Sequence, residues 1–179
     1  PFTTNVMRLE PLIREGAPAD AEKLTALAIQ VWLHTYATDG ISSTISRYVL
    51  SEFTPERFAA LLASTSVVVL VAEVNAGLVG CAVVRAGESC PEATGSTVEL
   101  ATLYVQEHFA GIGVGSALLA RAETLAAQRA GKPLWLTVNV KNSRAIAFYT
   151  KHGYSKIGVT YFRLGGESHE NHVLLGSDA

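Results

Sequence analysis

The stretch with the most chemistry in it is Leu103-Tyr104-Val105, then Gln-Glu-His-Phe, then Ala110-Gly111-Ile112-Gly113-Val114-Gly115-Ser116. An apolar run ends, three glycines alternate with other residues, and a helix-forming sequence begins. Glycine reaches positive φ and lets a ligand approach the backbone closely. The first N–H groups of a helix have no partner one turn back, and with the helix dipole they favour a phosphate or pyrophosphate. The plainer use of such glycines is a turn that packs a strand against a helix. Two other glycine loops do not fit. G-x-G-x-x-G needs Gly or Ala last, but counting from Gly111 the residue there is Ser116, and counting from Gly113 it is Leu118. No lysine follows the glycines, as a P-loop requires.

Glu99 is the second chemical feature, an acid in the otherwise apolar run Thr97–Val105, six residues before Val105. Such an acid either accepts a proton from a reacting group or faces solvent and holds a neighbouring loop. Glu73 is the next choice for a base. The histidines at 34, 108, 152, 169 and 172 show no metal-ligand spacing, and neither do Cys81 and Cys90, so no metal is expected. Cys81 lies in an apolar run and reads as a small core residue.

These groups must be positioned by a core. With 179 residues, 49% of them hydrophobic, the chain reads as one globular domain over 1–179 with a loose tail at 1–5. A net charge of −2 with 17% charged residues argues against a nucleic-acid or membrane-surface partner. No apolar run approaches the roughly 20 residues of a membrane span. The start lacks the basic flank and apolar stretch of a secretory signal, so a reducing cytoplasm is expected.

Val6–Glu15 reads as a first strand. Leu24, Leu27, Ala28, Val31 and Trp32 recur at helical spacing behind Asp20 as N-cap, giving a helix to Tyr36. Thr38–Ser43 is a break, and Thr54-Pro55 starts a helix to about Ala63. Ser66–Val74 and Leu78–Arg85 form a hairpin around a three-residue loop, Asn75-Ala76-Gly77. Ala86–Ser96 is a surface loop, Thr97–Val105 a strand, Gly113–Ala130 a helix stopped by Gly131, and Leu134–Val140 a strand. Asn142–His152 is a helix ended by Gly153, and Tyr154–Leu164 and His169–Leu175 flank Gly165-Gly166 as a last hairpin. The result is a mixed α/β (α+β) domain with one central sheet.

Ala110-Gly111-Ile112-Gly113-Val114-Gly115 resembles the Arg/Gln-x-x-Gly-x-Gly/Ala motif of the GNAT superfamily of N-acetyltransferases. Asn142-Ser143-Arg144-Ala145-Ile146-Ala147-Phe148-Tyr149, then His152-Gly153-Tyr154, resembles its second signature: Asn, Ala three later, Phe-Tyr, then Gly before an aromatic. The resemblance implies a mostly antiparallel sheet, flanked by helices and splayed to admit acetyl-CoA. It implies that Leu103, Tyr104 and Val105 present backbone to the pantetheine arm, and that Ala110 to Ser116 cradle the phosphates. It further implies that Asn142 and Ala145 touch the coenzyme, and that Tyr149 lies near its sulfur and protonates the departing thiolate. Glu99 stands where similar enzymes often place a carboxylate. The family's Arg/Gln position is Ala110 here, so one side-chain donor to the phosphates is missing.

The implied reaction is acetyl transfer to a primary amine in a ternary complex, without a covalent enzyme intermediate. The stretch from Trp135 to Glu167 is similar to bacterial polyamine acetyltransferases, which points to a small polyamine-type acceptor. Asp39, Glu52, Glu99, Glu167 and Glu170 are the acids available to hold it. Protein N-terminal amines are a competing acceptor class, and a coenzyme A-binding module without catalysis is a competing function. Homodimers are frequent among similar proteins.

Overall fold

The computed structural model describes residues 10–177. The expected tail and the part of the first strand before residue 10 lie outside the described residues. Seven strands, β1 (Leu12–Glu15), β2 (Val67–Val74), β3 (Gly77–Ala86), β4 (Val98–Val105), β5 (Trp135–Asn139), β6 (Ser155–Leu164) and β7 (Glu167–Leu175), form one open sheet. Their order is β1-β2-β3-β4-β5-β7-β6. The helices are α1 (Ala21–Tyr36), α2 (Ser43–Glu52), α3 (Pro55–Ala63), α4 (Val114–Ala130) and α5 (Ser143–Lys151). Neighbouring strands run antiparallel except β4 and β5, which α4 connects by a crossover and which are therefore parallel.

β2 and β3 are apolar along most of their length, with Glu73 and Arg85 near their ends, because both their faces are covered. Leu70, Ala72, Ala82 and Val84 pack with Leu118, Leu119 and Ala122 of α4. Val69, Val71, Cys81 and Val83 pack with Leu24, Leu27 and Ala28 of α1 and Phe58 of α3. Cys81 is wholly buried, and burial pushes its thiol up to about 12, as suits a core residue. A Cβ on Gly80 would stand 2.9 Å from the Tyr104 carbonyl oxygen and 3.1 Å from Leu118, so glycine lets α4 seat closely on the sheet.

One irregularity decides where a ligand can enter. β4 pairs with β3 along its length, with a bulge at Ala101: Val84 faces Leu100 and Val83 faces Thr102. On its other side β4 meets β5 at a single pair, Glu99 with Trp135. From Leu100 onward the two strands part, and the outer backbone edge of β4 carries no neighbouring strand.

Several local expectations change. α2 was not anticipated. Its sequence, STISRYVLSE, is rich in serine and β-branched residues, which form helices weakly. Packing and capping outweigh that: the Ser42 hydroxyl accepts from the Ile45 N–H at 3.2 Å, and the Tyr48 ring lies 4.8 Å from Trp32. The first hairpin turns on two residues, not three. Val74 pairs with Gly77, and Asn75 and Ala76 take φ of 49° and 64°. β7 starts at Glu167, because Leu164 and Glu167 pair across Gly165 and Gly166, whose φ values are both positive. Thr54 caps α3 as expected, accepting from the Arg57 N–H at 3.2 Å.

Asp20 precedes α1 but does not cap it with its side chain. Its carboxylate accepts from both Arg14 Nη atoms, at 2.8 and 3.0 Å, and from the Ala17 N–H at 2.7 Å. Arg14 also donates to Glu73, at 2.7 and 3.1 Å, so this network ties β1, β2 and the entry to α1 together. The second-choice base, Glu73, is thus a structural ion-pair partner. The hydrogen bonds from Arg14 hold the Asp20 carboxyl below its ordinary range, overriding burial, which pushes the other way. Such a group stabilises the fold above its unfolded pKa, and that contribution is lost as pH falls through the folded one. Asp20→Asn should therefore cost about 2–3 kcal/mol at neutral pH. The gap from wild type should narrow in urea titrations as pH falls below the ordinary carboxylate range, and close once the folded-state carboxyl is itself protonated.

Candidate active site

A cleft of about 950 Å³ opens where β4 and β5 part, at the upper end of the usual range for ligand pockets. Its walls bring together ten of the expected residues: Leu103, Val105, Ala110, Gly111, Gly113, Gly115, Ser116, Asn142, Ala145 and Tyr149. They come from β4, the glycine loop and α5, three segments that meet only because the sheet is split.

Gly111 and Gly113 take φ of 76° and 95°, which side chains rarely adopt, and a Cβ on either would meet open space. Backbone conformation, not crowding, is what requires glycine there. In α4 the Ala117 N–H reaches the Gly113 carbonyl at 3.0 Å. The N–H groups of Val114, Gly115 and Ser116 precede the first such bond and are free for an anion. The cleft walls carry Arg144, Lys151, His34, His108 and His152 against one acid, Glu107. On α5, Arg144 is paired with Glu107 at 2.9 Å, and Lys151 has no acid within salt-bridge distance among the described residues.

Three expected residues turn their side chains elsewhere. Tyr104 alternates with Leu103 and Val105, so it faces the α1–α3 layer, edge-on to Phe53 at 6.3 Å. Ile112 points outward and is 55% exposed, while Val114 is buried in the core. None of the three side chains lines the cleft. Glu99 does not line the cleft either. It is half-buried at the closed end of the split, opposite Arg85 and Trp135. Burial raises its pKa most, Arg85 lowers it and Glu88 raises it, with a net upward shift.

Tyr149 is buried in the cleft wall, and its phenol is pushed well above the ordinary tyrosine value, chiefly by burial and further by Tyr36. It therefore stays protonated at neutral pH and can act as a donor. Asn142 caps α5: its side-chain oxygen accepts from the Ala145 N–H at 3.1 Å. Burial pushes the nearby Tyr36 phenol up, and Asn142 partly offsets that. His152 Nδ1 lies 2.8 Å from the Phe148 carbonyl, which can only accept, so that nitrogen carries the proton. In the neutral ring Nε2 then accepts from the Ser116 hydroxyl at 3.0 Å. The Ser116 proton is committed to His152, so in that state the serine does not donate to a phosphate as expected.

Sequence reasoning missed Gln30, Gln106, Glu107, Arg144 and Lys151 as wall residues. Glu107 sits between Arg144 at 2.9 Å and His34 at 3.5 Å, and Gln106 donates to Gln30 at 2.9 Å. The signal for Phe148 and His152 was present: Phe148 lies three residues after Ala145, and His152 four after Phe148, on one helical face.

A mixed sheet parted at its one parallel junction, with a glycine-led helix at the opening, is the architecture of an acyl-coenzyme A-dependent transferase. The chain belongs to the acetyltransferase (GNAT) family, whose model matches residues 31–154. It is an acetyl-CoA-dependent N-acetyltransferase. It is 30% identical over 156 residues to an uncharacterized N-acetyltransferase of Mycobacterium tuberculosis, covering 87% of this chain and 96% of that one. The PaiA N-acetyltransferase of Thermoplasma acidophilum, solved in complex with coenzyme A, superposes with a TM-score of 0.77 at 20% identity. That match covers 93% of this chain and 98% of the other. A GCN5-related N-acetyltransferase of Rhodopseudomonas palustris gives 0.74 at 23% identity, over 94% and 96%. These two likenesses concern the fold.

Acetyl-CoA should raise the melting temperature, since a ligand at ~100 times its dissociation constant adds roughly 2.7 kcal/mol to stability. Gly115 offers a clean test of the cradle. A Cβ there would meet Phe148 at 3.5 Å and Val105 at 3.7 Å, which are ordinary contacts. Gly115→Ala should leave the apo melting temperature unchanged or higher, because alanine favours helix. It should also weaken coenzyme A binding about tenfold by calorimetry, roughly 1.4 kcal/mol. Unchanged affinity would place the coenzyme elsewhere.

Proposed function

We propose that this protein transfers the acetyl group of acetyl-CoA to a small primary amine by direct attack in a ternary complex. The observation that carries this reading is the buried, neutral Tyr149 in the wall of a cleft that also holds the glycine loop. Bound acetyl-CoA would supply the thioester. The N–H groups opening α4 would hold its phosphates, and the free edge of β4 at Leu103 and Val105 would pair with its amide arm. Tyr149 would give its hydroxyl proton to the departing sulfur.

The amine must lose a proton before it can attack. An alkylamine with a pKa near 10.4 is only about one part in a thousand neutral at pH 7. Glu99 is the acid we assign to receive that proton. Its raised pKa suits a base, and its place at the closed end of the split, outside the cleft wall, requires an intervening water.

A polyamine acceptor is the finer expectation from sequence, and its polycationic chain would need acids along one groove. Asp39, Glu52, Glu99, Glu167 and Glu170 do not line the coenzyme cleft. Glu52 is taken up by Arg57 at 3.1 Å. A monoamine suits this surface better than a polyamine. Thiol release measured across a panel of amines, spermidine and an N-terminal peptide among them, decides the acceptor class. Tyr149→Phe should lower kcat about 10²-fold or more while leaving the KM for acetyl-CoA within a factor of about two. Wild-type turnover by that variant would assign Tyr149 to packing.

A further inference from the structure

A second groove, of about 690 Å³, lies between one face of α2 and the end of β6. Thr44, Arg47, Tyr48 and Ser51 recur at helical spacing on the α2 side, and Arg163 and Gly165 close the other. The two elements are in contact: a Cβ on Gly165 would overlap the Thr44 side chain. Neither arginine has an acid within salt-bridge distance among the described residues. Glu52, on the same helix, is paired with Arg57 instead. Two exposed guanidinium groups and the hydroxyls of Thr44, Tyr48 and Ser51 thus line one groove, and no acid among the described residues pairs with either arginine.

The groove is joined to the coenzyme cleft by aromatic rings. Tyr48 in the groove wall stacks on Trp32 at 4.8 Å, and Trp32 on Tyr36 at 4.9 Å. Tyr36 lies in the last turn of α1, next to Thr35 in the wall of the coenzyme cleft. Phe162 extends the same wall from β6, 5.8 Å from Tyr48. Trp32 itself is buried, so an acceptor with its amine near the coenzyme cleft would pass over the exposed rings of Tyr36 and Phe162, with its far end between Arg47 and Arg163.

We infer that the acceptor is an amino acid in the broad sense: a primary amine carrying an anionic group at the far end of an extended, largely apolar chain, held by Arg47 and Arg163. This rests on the amine-acetylation reading above. Guanidinium pairs with carboxylate or phosphate through two parallel hydrogen bonds, and the rings suit a methylene chain. Tyr36 and Tyr48 stand on either side of the Trp32 ring, which sets the two ends apart and suits ω-amino acids better than short α-amino acids.

The test compares ε-aminocaproate with its uncharged amide, and with an aminoalkylphosphonate of similar length, by thiol release with saturating acetyl-CoA. The free acid should exceed the amide in kcat/KM by about tenfold or more, the range of a charge-assisted hydrogen bond. Arg47→Gln and Arg163→Gln should each reduce that preference and together abolish it, with the loss falling on the acid more than on the amide. Both arginines are exposed, so the melting temperature should not move. The relative rates of carboxylate and phosphonate identify which anion the groove prefers. Equal rates for acid and amide, or a preference that survives both substitutions, overturn the inference while leaving acetyl transfer intact. No thiol release with any amine overturns acetyl transfer itself. In that case the N-acetylated acid and its amide, titrated with coenzyme A present and read by Trp32 fluorescence, still decide whether the groove selects an anion.

Discussion

The structure depends on backbone hydrogen bonding that one strand cannot complete. β4 is satisfied on one side by β3 and abandoned on the other after the Glu99–Trp135 pair. A sheet tolerates a missing ladder in its interior only if something else supplies the partners. That requirement explains the arrangement around the split. The bulge at Ala101 turns the strand, α4 starts at the mouth, and α5 lays Ala145 and Tyr149 along the gap. A ligand with an amide-bearing arm and phosphates answers both kinds of unsatisfied donor, at the strand edge and at the helix start.

The two faces of the sheet then divide the labour. α4 and α5 line the cleft on one side, and α1, α2 and α3 lie over the opposite layer. α1 belongs to both. Leu24, Leu27 and Ala28 anchor it in the core, while Gln30 and His34 reach across to Gln106 and Glu107 at the cleft rim. Its last turn supplies Trp32 and Tyr36 to the aromatic wall. One amphipathic helix thereby sets the distance between the coenzyme and whatever lies beyond the wall.

Much of this was legible in the chain. Alternating and helical periodicities located nearly every element, and the two motifs located the cleft through Ala110–Ser116 and Asn142–Tyr149. What escaped had identifiable causes. α2 has weak helix propensity and only Val49 fully buried, so neither composition nor periodicity announced it. Ala76 at positive φ is a conformation that sequence assigns to glycine, which shifted the turn by one residue. Tyr104 follows from strand alternation, and a motif read as a continuous run conceals it. The role of Glu107 depends on contacts with Arg144 and His34, 37 and 73 positions away, and no local pattern encodes them.

Cys81 gains a different meaning beside this chemistry. The reaction leaves a free thiol, and a neighbouring cysteine thiolate would invite a mixed disulfide with it under mild oxidation. Cys81 pairs in the sheet with Tyr104, one strand from the coenzyme cleft. Yet its side chain faces the α1–α3 layer, fully covered and protonated. A sheet only one residue thick therefore insulates the protein's own sulfur from its product, and the enzyme should resist inactivation by oxidised coenzyme A at that position.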